Sequence, residues 1–188
     1  MATWIQRIIG ASKLDISTYE EIEADRGATG QALAVVVLAA VAGGIGGSGE
    51  AAGARAFVQL SVTALVAWLV WAILVWFVGT KLVPEPTTEA DLGQLLRTIG
   101  FSASPGLLRI FGLVPGIGVL VGVITALWML ASMIVAVRQA LDYRSTGRAI
   151  AVCALGFIVY VLLFAGAAIF LGVGAALFGG LQMRGPST

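Results

Sequence analysis

The chain predicts an all-α, polytopic membrane protein with about five membrane-penetrating helices and an N-terminal helix lying in the interface. Three observations carry this expectation. Apolar stretches recur almost to the end of the 188 residues, each near the ~20 residues that make one span. Hydrophobic residues are 59% of the chain and charged residues 11%, with mean hydropathy +1.00, where soluble domains carry roughly a quarter charged. The connectors are short and hold most of the charges. The expected organisation is an amphipathic and acidic cytoplasmic segment over 1–27, a five-helix transmembrane domain over 28–180 and a short tail over 181–188.

Residues 2 to 13 place Trp4, Ile5, Ile8 and Ile9 on one side of a helix and Gln6, Arg7, Ser12 and Lys13 largely on the other. That spacing suits a helix lying in the interface. DISTYEEIEADR, from Asp15 to Arg26, is acidic and polar with Tyr19 and Ile22 as its apolar contacts, so it belongs in water. These acids ahead of the first apolar run are unlike a secretory leader, so that run is expected to be a retained span.

The first span runs from about Ala28 to Gly47 and ends in Gly43, Gly44, Gly46, Gly47 and Gly49, a flexible, poorly helical exit. Gly44, Gly46 and Gly49 form a G-x-G-x-x-G. No acid stands between Glu50 and Glu85 to hold a ribose, so dinucleotide binding fails on context. The second span, about Ala56 to Thr80, holds Trp76 and Phe77 as an interfacial belt beside Lys81, with Trp68 and Trp71 packed mid-span.

Pro84 and Pro86 break the helix, and Thr88 and Asp91 are spaced as a capping box that restarts it. Leu92, Leu95, Leu96 and Ile99 then give an amphipathic lead-in. The stretch Gly100–Val114 is short for a span and contains Pro105 and Arg109. It is either a kinked crossing or one arm of a re-entrant hairpin turning at Pro115 and Gly116. Pro115 to Val137 is the next span, where Gly118 and Gly122 supply a small-xxx-small contact. After a hydrophilic loop the last run, Ala149 to Gly180, carries Ala168, Gly172, Ala176 and Gly180 every four residues, a face for internal packing or self-association.

Five crossings put Arg7, Lys13, Arg26, Lys81, Arg97, Arg138, Arg144 and Arg148 on one side and Arg55, Arg109 and Arg184 on the other. Eight against three sets the N-terminus in the cytoplasm and the C-terminus across the cell (inner) membrane. Arg109 alone falls in the hydrophobic zone. It either snorkels to the headgroups or binds the phosphate of an anionic lipid with its forked donors.

Several chemistries are excluded. With no histidine, imidazole metal sites and triads using a histidine base are gone. The lone Cys153, among apolar neighbours, reads as a packed thiol with no intramolecular disulfide. A net charge of +1 in opposed clusters leaves no basic surface for nucleic acid. No catalytic residues, cofactor or metal are expected, and the protein reads as non-enzymatic.

The stretch LLRTIGFSASPGLLRIFGLVPGIGVLVGVITALWMLASMIVAVRQAL resembles the bacterial branch of the Yip family, the Ypt/Rab-GTPase-interacting membrane proteins. The matching features are the leucine-rich lead-in, then Gly100, Phe101 and Pro105, then a proline-glycine turn and a long apolar span. With the upstream EEIEADRGATGQALAVVV, the resemblance covers roughly residues 15 to 165. It implies a five-helix membrane domain with a cytosolic N-terminus. Eukaryotic members are linked to small GTPases, but this chain has no Asp-Leu-Tyr-Gly-Pro segment, which leaves GTPase binding unsupported. The expected role is contact with lipid, with further copies of the chain or with a larger membrane complex, as organiser or scaffold. The alternatives are an accessory subunit or a small-solute permease lined by Gln31, Gln59, Ser61, Thr63, Ser102, Ser104 and Ser132.

Overall fold

The computed structural model describes residues 2–48, 54–86 and 88–182, and all regular structure among them is helical. Seven α-helices follow in order: α1 Trp4–Ser12, α2 Ile16–Ala24, α3 Ala28–Ser48, α4 Ala54–Phe77, α5 Leu92–Phe101, α6 Gly118–Ala140 and α7 Thr146–Gln182. Four apolar stretches are long enough to cross a membrane: Ala28–Gly47, Val58–Leu82, Gly118–Ala140 and Thr146–Leu163. Large apolar side chains on these helices, such as Val58, Val66, Leu127 and Phe157, face outward, as a lipid solvent requires.

The glycine-rich end of the first span is helical through Ser48, against the expectation of a frayed exit. Tertiary contact overrides the poor propensity of glycine. The contact is with the fifth membrane element, a 3-10 helix over Ser104–Leu113 that follows α5 after a two-residue break. Ten residues wound this way rise ~20 Å, against ~15 Å for an α-helix, so the overwinding lengthens a segment that is short for a span. Three glycines, Gly100 at the end of α5 and Gly106 and Gly112 in the 3-10 helix, set the approach to α3. A Cβ on Gly100 would lie 2.7 Å from Ala32 Cβ, one on Gly106 3.1 Å from Ala39 Cβ, and one on Gly112 2.7 Å from Gly46 O. Numbers climb together on both partners, so α5 and the 3-10 helix run parallel to α3. Pro115 and Gly116, the latter at φ +86, then turn the chain back into α6.

Two faces follow from this threading. The segment before α3, the 83–91 connection and the 141–145 loop gather on an N-terminal face, held by contacts such as Gln139 to Glu20 and Arg148 to Glu85. The end of α3, the start of α4 and the 114–117 turn gather on the opposite face, where Leu60 packs on Gly44.

On the N-terminal face α4 runs on into a π-helical turn, Val78–Leu82, closed by Val83 N–H donating to Val78 O at 2.9 Å. The wider winding leaves carbonyls without their usual donors. The Tyr143 hydroxyl, from the α6–α7 loop, supplies them: it lies 3.0 Å from Gly79 O and 2.7 Å from Val83 O. Burial pushes the Tyr143 phenol up to about 12, with Glu85 adding to the shift and Arg148 opposing it, so it keeps its proton. Tyr143→Phe is expected to cost about 1–3 kcal/mol by orphaning buried acceptors. A thermal unfolding midpoint in detergent equal to the parent's would remove this role.

Restarting the chain after the prolines uses a cap three residues later than expected. Asp91 is the N-cap of α5 and Gln94 closes the box, each bonding the other's backbone N–H at 2.7 and 2.6 Å. Thr88 instead turns back, its Oγ1 accepting from Glu85 N–H at 3.0 Å.

Candidate functional site

Two places concentrate polar groups against the bundle. On the N-terminal face, α1 is opened by a Thr3–Gln6 capping box and joined to α2 through Leu14 in the left-handed region at φ 62. The helix leaves Ile5 65% and Ile9 47% exposed, while Arg7, from its polar side, turns inward and is only 2% exposed. Arg7 Nη2 meets Glu21 Oε1 at 3.0 Å and Asp25 Oδ2 at 2.7 Å, and Nη1 donates to Gln31 Oε1 at 3.1 Å. One turn apart on the chain, Glu21 and Asp25 share a side and together neutralise the guanidinium. Burial opposes its charge, but hydrogen bonds and attraction from the two carboxylates outweigh that and raise its pKa.

Arg97 closes the other end of α2. Its Nε and Nη2 donate to Glu23 O at 3.1 and 2.5 Å, a cation on the last carbonyls of a helix. The Glu23 carboxylate accepts from Gln94 Nε2 at 2.9 Å. Burial pushes Glu23 up to about 7, helped by Asp142 and resisted by Arg97. The segment expected to lie free in water is therefore a docked helix, with Tyr19 and Ile22 fully buried and its acids largely engaged within the chain. Tyr19 reaches α6, its hydroxyl 2.6 Å from Ser132 Oγ.

The second place is a cleft of about 460 Å³ on the opposite face, between α3, α4, the 3-10 helix and α6. Arg109 lies half-buried in its wall. Its Nε donates to Thr125 Oγ1 at 3.3 Å, and its chain passes Gly43 of α3. The guanidinium is thus drawn toward α6, and among the described residues no carboxylate lines the cleft. Gly118 packs on Gly112, with Gly112 O 3.0 Å from where its Cβ would be. Gly122, expected to share that contact, has nothing within 4 Å of its missing Cβ and faces the cleft instead.

Other expected residues are dispersed. Gly100 is the close approach to Ala32, Phe101 is fully buried beside Tyr19 and Ala136, and Pro105 opens the 3-10 helix. Cys153 is a buried thiol beside Val152 and Ala149. The side chains of Ala168, Gly172, Ala176 and Gly180 lie outside the described residues, as does the 183–188 tail. The permease candidates are scattered: Ser102 and Ser104 bond the carbonyls of Ile99 and Phe101, Ser132 bonds Tyr19, Gln31 serves Arg7, and only Thr63 of the seven lines the Arg109 cleft. Among the described residues no group of histidine, cysteine and acids could hold a metal. The roles of Arg7 and Arg97 were missed by sequence reasoning, which counted them only as charges on one side.

No curated protein and no solved structure shows a significant match to the chain. The model of the Yip1 domain matches residues 16–166, from the first turn of α2 through the middle of α7, taking in both polar sites apart from α1. With four long apolar helices, the parallel α5 and 3-10 element between them, and a family match over most of its length, this chain is an integral membrane protein belonging to the Yip1 domain family.

Proposed function

We propose that this Yip1-family protein is a non-enzymatic organiser or scaffold in the bacterial inner membrane, acting through contacts with lipid and with further membrane proteins or copies of itself. One observation carries the reading. The buried charges of the N-terminal face are spent fastening α1 and α2 to the bundle, while α1 turns Ile5 and Ile9 outward. The result is a rigid apolar shelf in one leaflet, built to hold a position rather than to open or to react. Positive charge supports a cytoplasmic N-terminal face and a C-terminus across the membrane, since eight of the eleven Lys and Arg residues fall on that side. The small-residue stripe from Ala168 to Gly180 suits association with a neighbouring helix, in a homo-oligomer or as a subunit of a larger complex.

Cross-linking in native membranes, followed by gentle extraction and mass spectrometry, tests this. A second copy or a recurrent protein neighbour is expected. A chain that travels alone through every extraction, with no cross-linked product, would overturn it.

A further inference from the structure

We propose that the Arg109 cleft binds one net-anionic phospholipid from the leaflet on the opposite face, its phosphate on the outer edge of the guanidinium and its glycerol along the glycine and alanine walls. The first reason is an unbalanced charge. Among the described residues, the other arginines that are buried or half-buried meet carboxylates or backbone carbonyls: Arg7 its two acids, Arg97 the Glu23 carbonyl, Arg138 the Tyr143 carbonyl at 3.2 Å. Among the described residues Arg109 has the Thr125 hydroxyl on Nε and no carboxylate or carbonyl on the fork of Nη1 and Nη2, and Nη1 lies beside Gly43 in the cleft wall. A lone arginine within a span costs roughly 2.5–3.5 kcal/mol, and a phosphate oxygen pair is the anion whose geometry fits that fork.

Space gives the second reason. Glycines at close helix crossings are filled against a neighbour, as Gly46 and Gly112 are. Gly47 and Gly122 are not: a Cβ on either would meet nothing within 4 Å, and both line the cleft. They keep room that none of the described residues fills. Depth gives the third, because Arg109 lies beside Gly43, one turn or ~6 Å short of the end of the apolar span at Gly47. That is within reach of the phosphate layer for a long side chain. With one positive charge and no acid among the described residues of its walls, the cleft offers nothing to the ammonium of a zwitterionic lipid. It selects for net negative charge.

The proposal deepens the contact-based reading above and fails separately from it, since cross-linking reports protein neighbours whereas lipid titration reports this cleft. The test is native mass spectrometry of the full chain in detergent, titrated with phosphatidylglycerol or phosphatidylethanolamine, with inorganic phosphate as competitor. One phosphatidylglycerol per chain is expected, in preference to phosphatidylethanolamine. Arg109→Gln is expected to weaken it about tenfold or more, the loss of charge-assisted hydrogen bonds. Arg109→Lys, which keeps the charge without the fork, should fall between. Gly122→Leu, which fills the space and leaves the charge, is expected to weaken binding by a similar factor at an unchanged unfolding midpoint. Equal binding of both lipids, or variants that bind as the parent does, would overturn the proposal. Displacement of the lipid by millimolar inorganic phosphate would overturn it too, marking an adventitious anion site.

Discussion

A single methyl added at Gly46 is expected to cost the fold about 2–3 kcal/mol, near the top of the range for overpacking. The new Cβ would overlap the Arg109 carbonyl outright. Both sides of that contact are backbone, so no rotamer change relieves it, and the 3-10 helix must leave α3. Gly112→Ala should behave alike, since its Cβ would stand 2.7 Å from Gly46 O. Gly122→Ala is the control: nothing lies within 4 Å, and alanine gains about 0.5–1 kcal/mol over glycine inside a helix. Thermal unfolding in detergent should therefore place the first two below the parent and the third at or above it. A Gly46→Ala chain as stable as the parent would mean that α3 and the 3-10 helix do not meet there.

Glu23→Gln is expected to stabilise the protein at pH 8 and to change little at pH 4.5. The folded protein holds the Glu23 proton up to about pH 7, whereas an unfolded chain releases it near the ordinary 4.5. Between those values the folded state binds more protons, so stability falls as pH rises through the window, and the loss is complete above it. Allowing for the partial exposure of the group, the gain from glutamine at pH 8 is about 1–2 kcal/mol. The amide oxygen can still accept from Gln94. Glu21 and Asp25 run the other way. Backbone and side-chain hydrogen bonds, chiefly from Ala2 and Arg7 to Glu21 and from Arg7 to Asp25, lower their pKa, so their contribution is present above the ordinary carboxylate range and lost as pH falls below it. The parent should be most stable near about pH 5. In the variant the decline toward pH 8 should shrink to the part that Asp142 contributes, its carboxyl raised by burial and by Glu89. An unchanged decline in denaturation curves from pH 5 to 8 would show that Glu23 is ionised throughout.

Long apolar runs were legible because one residue type per position decides them: α4, α6 and the start of α7 fall within a few residues of their expected limits. The family features at Gly100, Phe101 and Pro105 were visible too, but not what they do. Gly106 and Gly112, both in the 3-10 helix, stand six residues apart, a spacing that places them on one side of a three-residue turn and on different sides of a 3.6-residue one. Their partners Ala39 and Gly46 stand seven apart, as an α-helix demands. Thr88–Asp91 and Asp91–Gln94 both have cap spacing, and sequence could not say which threonine or aspartate the turn at Glu85 would claim. The Arg7 pair did leave a signal, since Glu21 and Asp25 lie four apart, but nothing local says that a cation from another helix fills the gap between them.

The sixes and sevens act as a vernier. Two turns of the tighter helix advance ~12 Å and two turns of the ordinary one ~10.5 Å, so each added repeat throws the two scales ~1.5 Å further out of step. Coincidence of this kind has a finite run, and here it ends where Pro115 reverses the chain. A relative adapted to a thicker bilayer cannot simply lengthen this pair; it must rewind the shorter partner, and its glycines must then move from sixes to sevens.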